Sequence, residues 1–338
     1  MNTTSVADGR RPLPDPDSPP WLGAATLRRL LPADIVVDAV EAALRDAGPR
    51  AVSGHAGLAY DVDAGAFHVK TSSLAAPRAV YIAKINANFP GNPLRGLPTI
   101  QGVAALFDAT DGRLLALLDS PELTALRTGA ATAVAARHLA RPDSERCLLV
   151  GAGRQASAQI RALAQVLPLA RVVVFDVDTE RARQLVLSLE TELGLAVELA
   201  PEVVSAALAS DIIVTCTTAR TPLLFRGQVA PGTFVAAVGA DHPAKQEIDP
   251  ALVAASRLFV DSPEQALACG ELHHAVAAGA MTPADVAGRL DELVTGAVVG
   301  RRSADEITLF DSTGIAIEDA AAALAAYERV ATPGGAPP

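Results

Sequence analysis

The stretch Cys147-Leu148-Leu149-Val150-Gly151-Ala152-Gly153-Arg154-Gln155-Ala156 restricts this chain more than any other. Leu148, Leu149 and Val150 read as a buried strand, and the Gly-x-Gly-x-x-Ala that follows passes directly into an Ala-rich helical pattern. Each small residue has its own physical task. Gly151 permits the tight turn, and Gly153 has no side chain to hold a pyrophosphate off the backbone. Ala156 lets the helix lie close to the strand, while free amides at the helix start attract phosphates. A turn of this kind points to a dinucleotide site. Gln155 in the turn, and Thr217 at the end of a later apolar strand, are grouped with it as further cofactor contacts.

A second strand supports the reading. Arg171-Val-Val-Val-Phe175 is a β-branched run ending at Asp176, and an acid at that tip can accept the ribose hydroxyls of an adenosine. The alternative is that Asp176 caps the next helix, which Asp178-Thr179-Glu180 can also start. An acid there disfavours a 2′-phosphate, so NAD is preferred. Arg181 and Arg183 lie close enough in sequence to keep NADP open.

The chain has 338 residues, a length that suggests two domains, and half of them are hydrophobic, enough for a large core. A net charge of −10 argues against nucleic acids and anionic membranes as partners. The three cysteines are widely spaced with no Cys-x-x-Cys, so a reducing compartment is expected, with neither a disulfide framework nor a metal site. Residues 1–20 lack an apolar signal core, and no apolar run reaches the roughly 18 residues of a membrane span. A cytoplasmic enzyme is the default.

Residues 1–20 read as a disordered arm and 331–338 as a loose tail. Helical spacing covers 24–31 and 32–46, with Gly48-Pro49 as the stop. Strands are expected over 56–60, 66–70, 79–85, 103–108 and 114–118, close enough together to form a mostly antiparallel sheet. Asp119-Ser-Pro-Glu122 starts a helix running to Arg141, the bridge into the dinucleotide strand. Strands then alternate with helices at 147–150, 172–175, 196–199, 212–216, 233–238 and 258–261, the rhythm of a doubly wound parallel sheet. An Ala-rich helix over 316–330 ends the pattern and is free to return to the first domain.

Three charged residues stand out from apolar surroundings. Lys84 lies in the strand Val80-Tyr-Ile-Ala-Lys-Ile85, where it must be paired or serve a ligand, unless the strand is an edge and the lysine reaches solvent. Arg127 interrupts an apolar helix, with a guanidinium suited to gripping a carboxylate through two hydrogen bonds; a structural ion pair is the rival. Asp241 follows the strand at 233–238, at the carboxyl end of the sheet where ligands bind, or else is simply a turn aspartate before Pro243.

In order, Lys84 with Asn86-Ala-Asn88-Phe-Pro, Leu123-Thr-Ala-Leu-Arg127-Thr-Gly-Ala-Ala, the glycine turn, Val238-Gly-Ala-Asp241-His-Pro-Ala-Lys-Gln-Glu247 and Phe310-Asp-Ser-Thr-Gly-Ile-Ala-Ile-Glu-Asp319 resemble the ornithine cyclodeaminase/mu-crystallin family. The resemblance implies a homodimer. Each subunit would carry a Rossmann NAD(P)-binding domain over 128–303 and a discontinuous α+β substrate-binding and dimerisation domain over 21–127 plus 304–330. It also implies roles: Lys84 and Arg127 as the catalytic and substrate-carboxylate cations, Asp241 as acid/base, and Asp176 as the adenosine-ribose acid. Family members share a hydride exchange at the α-carbon of an amino acid or imino acid. They include cyclodeaminases, amino-acid dehydrogenases, imine reductases and little-reacting NADPH-binding proteins. Ornithine-using members carry an acid and a second arginine where this chain reads Gly65-Ala-Phe-His68-Val-Lys70. His68 then falls near the place of the acid, and Lys70 takes over from the arginine; the alternative is that both sit on an exposed strand face. A cationic or neutral lining does not favour a distal ammonium, so a neutral amino or imino acid is expected rather than ornithine.

Overall fold

The computed structural model describes residues 19–47 and 56–331. The Gly48-Pro49 stop, the expected arm up to residue 18 and the tail beyond residue 331 lie outside the described residues.

The first sheet has six strands: β1 (Trp21–Leu22), β2 (Ala56–Val62), β3 (Gly65–Leu74), β4 (Val80–Asn88), β5 (Ile100–Asp108) and β6 (Leu114–Asp119), in the order β1-β6-β5-β4-β3-β2. β2 to β6 form an antiparallel meander, and β1 adds parallel to β6. Register decides what each face carries, because side chains alternate across a strand. Lys70 of β3 stands opposite Lys84 of β4, and His68 opposite Asn86. Ile82, Ala104, Leu106 and Leu118 share that side and are buried beneath the helices Ser120–Leu139 and Ala316–Ala331. The other side shows Leu58, Tyr60, Phe67, Tyr81 and Ile85 to solvent.

The second sheet follows the expected alternation. Its strands are β7 (Arg146–Val150), β8 (Arg171–Phe175), β9 (Ala196–Leu199), β10 (Ile212–Thr215), β12 (Phe234–Ala237), β14 (Arg257–Val260), β15 (Gly288–Arg289) and β16 (Thr308–Asp311), in the all-parallel order β15-β14-β16-β12-β10-β7-β8-β9. A short parallel ribbon of β11 (Arg220–Leu224) and β13 (Gln246–Ile248) lies beside it. β10, β12 and β16 are buried at every position, as strands covered on both faces must be. Strand order runs outward from β7 to β9 and then restarts on the other side of β7 at β10. The crevice between the carboxyl ends of β7 and β10 is therefore the place where a ligand fits.

Two expectations about domain limits are corrected. Thr308–Asp311 does not join the first sheet; it inserts between β12 and β14, because the apolar run Leu309-Phe310 needs burial on both faces. The helix Ser120–Leu139 runs unbroken through the boundary drawn at 127/128. Asp119 caps it by accepting a hydrogen bond from the Glu122 N–H at 2.8 Å. Gly129 allows it to lie against the helix Ala156–Leu163, since a Cβ there would meet the Ala158 carbonyl at 2.5 Å. One rigid helix thus ties the antiparallel sheet to the dinucleotide turn.

Candidate active site

At the end of β7 the chain turns through Gly151, whose φ of 104° lies in the left-handed region that favours glycine. Its N–H donates to the Phe175 carbonyl at 2.7 Å, joining the turn to β8. A Cβ on Gly153 would meet nothing within 4 Å, so open space lies over the turn where a pyrophosphate needs it. Ala156 is fully buried against the sheet. Asp176 is bound to the same turn: Oδ2 accepts from the Ala152 N–H at 2.6 Å and Oδ1 from the Asp178 N–H at 2.8 Å. The helix cap is Asp178, which accepts from the Arg181 N–H at 3.1 Å, so capping does not account for Asp176. Arg181 and Arg183 pair locally with Asp178 and Glu180. Gln155 has a buried Oε1 with no partner among the described residues. Thr217 lies across the crevice just past β10, its N–H donating to Glu247 Oε1 at 2.6 Å. Turn, strand-tip acid and facing threonine fit a dinucleotide.

Lys84 and Arg127 meet on one carboxylate. Lys84 Nζ donates to Asp319 Oδ2 at 2.6 Å and to Thr124 Oγ1 at 3.2 Å. Arg127 donates through Nε to Asp319 Oδ1 at 3.0 Å and through Nη1 to Glu318 Oε2 at 2.7 Å. All four charged side chains are almost entirely buried, which puts them in a medium where electrostatics are strong. Burial pulls the Lys84 ammonium down to about 8; Asp319 opposes this, while the charges of Arg127 and Lys70 add to it. Burial also works against Arg127, yet Asp319 and Glu318 hold it above its ordinary value. Burial pushes Glu318 up to about 7 despite Arg127. For Asp319 the burial penalty is outweighed by Arg127 and Lys84, so it stays below the usual carboxylate range.

Lys70 stands beside Lys84, on β3. Its Nζ donates to the Gly314 carbonyl at 2.8 Å, the Thr313 carbonyl at 3.2 Å and Gln265 Oε1 at 3.3 Å. All three acceptors are neutral, and they belong to segments following β16 and β14, so Lys70 spans from one sheet to the other. Asp261 holds the Thr313–Gly314 segment from below through both backbone amides and the Thr313 hydroxyl. His68 lies two residues along β3 on the same side as Lys70, half-buried and opposite Asn86. These two residues therefore lie on the side of the sheet that carries Lys84 and Ile82.

Asp241 stands apart from the buried cations. It is exposed on the loop after β12 and pairs with Lys245. Burial pushes the Cys269 thiol up to about 11; Lys70 lowers it, while Asp311, Asp241 and Asp261 raise it.

Sequence reasoning found the cations and missed what holds them. Glu318, Asp319, Asp261, Gln265 and Glu247 received no role. A signal was present for two of them, because adjacent acids inside the Ala-rich segment at 316–330 face the same pairing requirement as Arg127. Glu247 and Asp261 sit near turns, where an acid needs no explanation; Glu247 enters the sequence reading only as the end of the Val238–Glu247 motif, with no role of its own.

A profile of the ornithine cyclodeaminase/mu-crystallin family matches residues 25–333. A Delta(1)-pyrroline-2-carboxylate reductase of Paracoccus denitrificans is 42% identical over 238 residues, covering 69% of this chain and 74% of that protein. Among solved structures, an archaeal alanine dehydrogenase dimer with bound NAD superposes with a TM-score of 0.86 at 33% identity, over 92% of this chain and 95% of that one. The Thermococcus litoralis Delta(1)-pyrroline-2-carboxylate reductase in complex with NADH and L-proline gives a TM-score of 0.86 at 31% identity, over 91% and 96%. With the glycine turn, the buried cations and the fold all in register, this chain belongs to the ornithine cyclodeaminase/mu-crystallin family.

Proposed function

We propose that the protein is an NAD-dependent oxidoreductase that reduces an imine α to a carboxylate, or oxidises the matching neutral amino acid. The observation that carries this is the buried Lys84–Asp319–Arg127–Glu318 network, two cations and two acids, in a chain that also carries the glycine turn. A nicotinamide dinucleotide bound on Gly151, Gly153, Gln155, Ala156, Asp176 and Thr217 supplies or takes the hydride. Arg127 keeps Nη2 for a substrate carboxylate, since Nε and Nη1 are committed to Asp319 and Glu318. Lys84 has one N–H left after Thr124 and Asp319. Two fixed cations aimed at one carboxylate orient the α-carbon and turn a bimolecular encounter into a positioned one. Asp241, on its exposed loop, is the group that exchanges a proton with the substrate nitrogen after leaving Lys245.

The lining around Lys70 and His68 favours a neutral side chain over a distal ammonium, which ranks imine reduction above ornithine cyclisation. The exposed apolar side of the first sheet, with Leu58, Tyr60, Phe67, Tyr81 and Ile85, supports a homodimer through that face. The free thiols Cys147, Cys216 and Cys269 support a cytoplasmic location. Among the described residues no helix is long and apolar enough to cross a membrane.

The test is optical. Purified protein is given NADH with cyclic and acyclic imino acids, or keto acids plus ammonia, and separately NAD with neutral amino acids. Loss of NADH absorbance with at least one imine is expected. Ammonia release from L-ornithine with no net change in NADH would replace this reading by cyclodeamination.

A further inference from the structure

Glu247 is a fully buried carboxylate that the chemistry above does not use. Its position is unusual because its two oxygens reach the chain past two neighbouring strands, β10 and β12. Oε1 accepts from the Thr217 N–H at 2.6 Å, and Oε2 accepts from the Gly239 N–H at 2.7 Å and from Thr215 Oγ1 at 2.8 Å. Thr217 begins the segment that faces the dinucleotide turn. Gly239 begins the loop that carries Asp241, and Glu247 stands in β13 just past its end, so its carboxylate closes the base of that loop. The fit leaves no slack: a Cβ on Gly239 would meet the Thr217 carbonyl at 2.4 Å and the Glu247 carboxyl carbon at 2.5 Å.

A second buried acid fixes Glu247 from behind. Glu271 accepts from the Glu247 N–H at 2.8 Å and from the Ile248 N–H at 3.2 Å. Asp311 in turn accepts from the Leu272 N–H at 2.9 Å, tying the helix that bears Glu271 to the end of β16. Three acids therefore hold backbone amides in sequence from the sheet core to the crevice.

We propose that Glu247 is a positioning residue, a single carboxylate that sets the spacing between the cofactor-facing turn at Thr217 and the Asp241 loop. This deepens the reading under Proposed function and rests on it. Both oxygens accept backbone N–H groups, so glutamine of the same size must aim its NH2 at one of those donors. One anchor is lost whichever way the amide turns. Aspartate keeps the charge but is one methylene too short to reach both sides.

The experiment compares wild type, Glu247→Gln and Glu247→Asp. It reads NADH affinity by fluorescence, kcat and KM with the best imino acid, and the primary isotope effect with NADH deuterated at the transferred position. Thermal unfolding serves as the fold control. For Glu247→Gln, NADH is expected to bind about 10-fold more weakly and kcat to fall about 10- to 100-fold, with a larger isotope effect, as misplacement of about an ångström costs. KM for the imino acid stays within about threefold, because Arg127 and Lys84 belong to the other wall. A merely structural role lowers the melting temperature and leaves the isotope effect and the kcat of the folded fraction where they were; folded Glu247→Gln with NADH affinity and kcat within twofold of wild type overturns the proposal. If the variants do not fold, hydrogen exchange on the wild type decides. Peptides spanning Thr217 and Gly239 are expected to open together, and exchange rates differing more than about tenfold refute the shared anchor. A wild type that binds NADH but reduces no imine sinks the proposed reaction alone; Glu247 is then judged on NADH affinity and exchange.

Discussion

Asp319→Asn is the perturbation that reports most directly on the buried charge cluster. Asp319 accepts from Lys84 Nζ at 2.6 Å and from Arg127 Nε at 3.0 Å, with no solvent exposure. Lys84 already titrates at about 8, burial acting against its charge and Asp319 supporting it. At an effective dielectric near 20, a unit charge at about 4 Å is worth about 4 kcal/mol, or about 3 pH units of support. Asparagine keeps the shape and removes the charge, so the Lys84 transition should move to about pH 5–6. If the reaction needs the ammonium, wild-type kcat/KM for imine reduction falls as pH rises through about 8. In Asp319→Asn the same limb should appear two to three units lower, with a loss of about 100-fold at pH 7.5. The assay is the pH profile of NADH oxidation at saturating cofactor, with Lys84→Met as the variant in which this limb is absent. An alkaline limb that stays near pH 8 in Asp319→Asn would refute the assignment of that limb to Lys84.

Two further outcomes are expected. Asp311 is pushed up to about 7 by burial and by the charges of Asp261 and Glu247, and Glu318 also reaches about 7 by burial. The folded protein therefore holds protons that the unfolded chain has released between about pH 4 and 7, and these groups make stability fall as pH rises through that window. Asp311→Asn removes its share, so in urea titrations the variant should gain on wild type by on the order of a few kcal/mol between pH 5 and pH 8; an equal difference at both pH values counts against this. On the outward side of the first sheet, Tyr60→Glu should convert a dimeric wild type into monomer in sedimentation velocity, because a charge cannot be buried there unpaired. A wild type that already sediments as a monomer rules out the dimer face.

Local chemistry was enough to read much of this protein from its residues. The glycine turn, Asp176 at a strand tip and the strand–helix alternation depend on spacing of a few residues, and each appears in the structure where its pattern placed it. Lys84 and Arg127 were legible because a charge among apolar neighbours always requires a partner. The identity of that partner was not legible, since Asp319 lies 192 positions from Arg127 and 235 from Lys84 and is brought there by the helix Ala316–Ala331 folding back over β3 and β4. Register decided that Lys70 stands beside Lys84, and sheet order decided that Thr308–Asp311 belongs to the parallel sheet. Glu247 shows the limit most clearly. Its function depends on two amides from separate loops meeting one carboxylate, and only the closed tertiary structure makes those three groups neighbours.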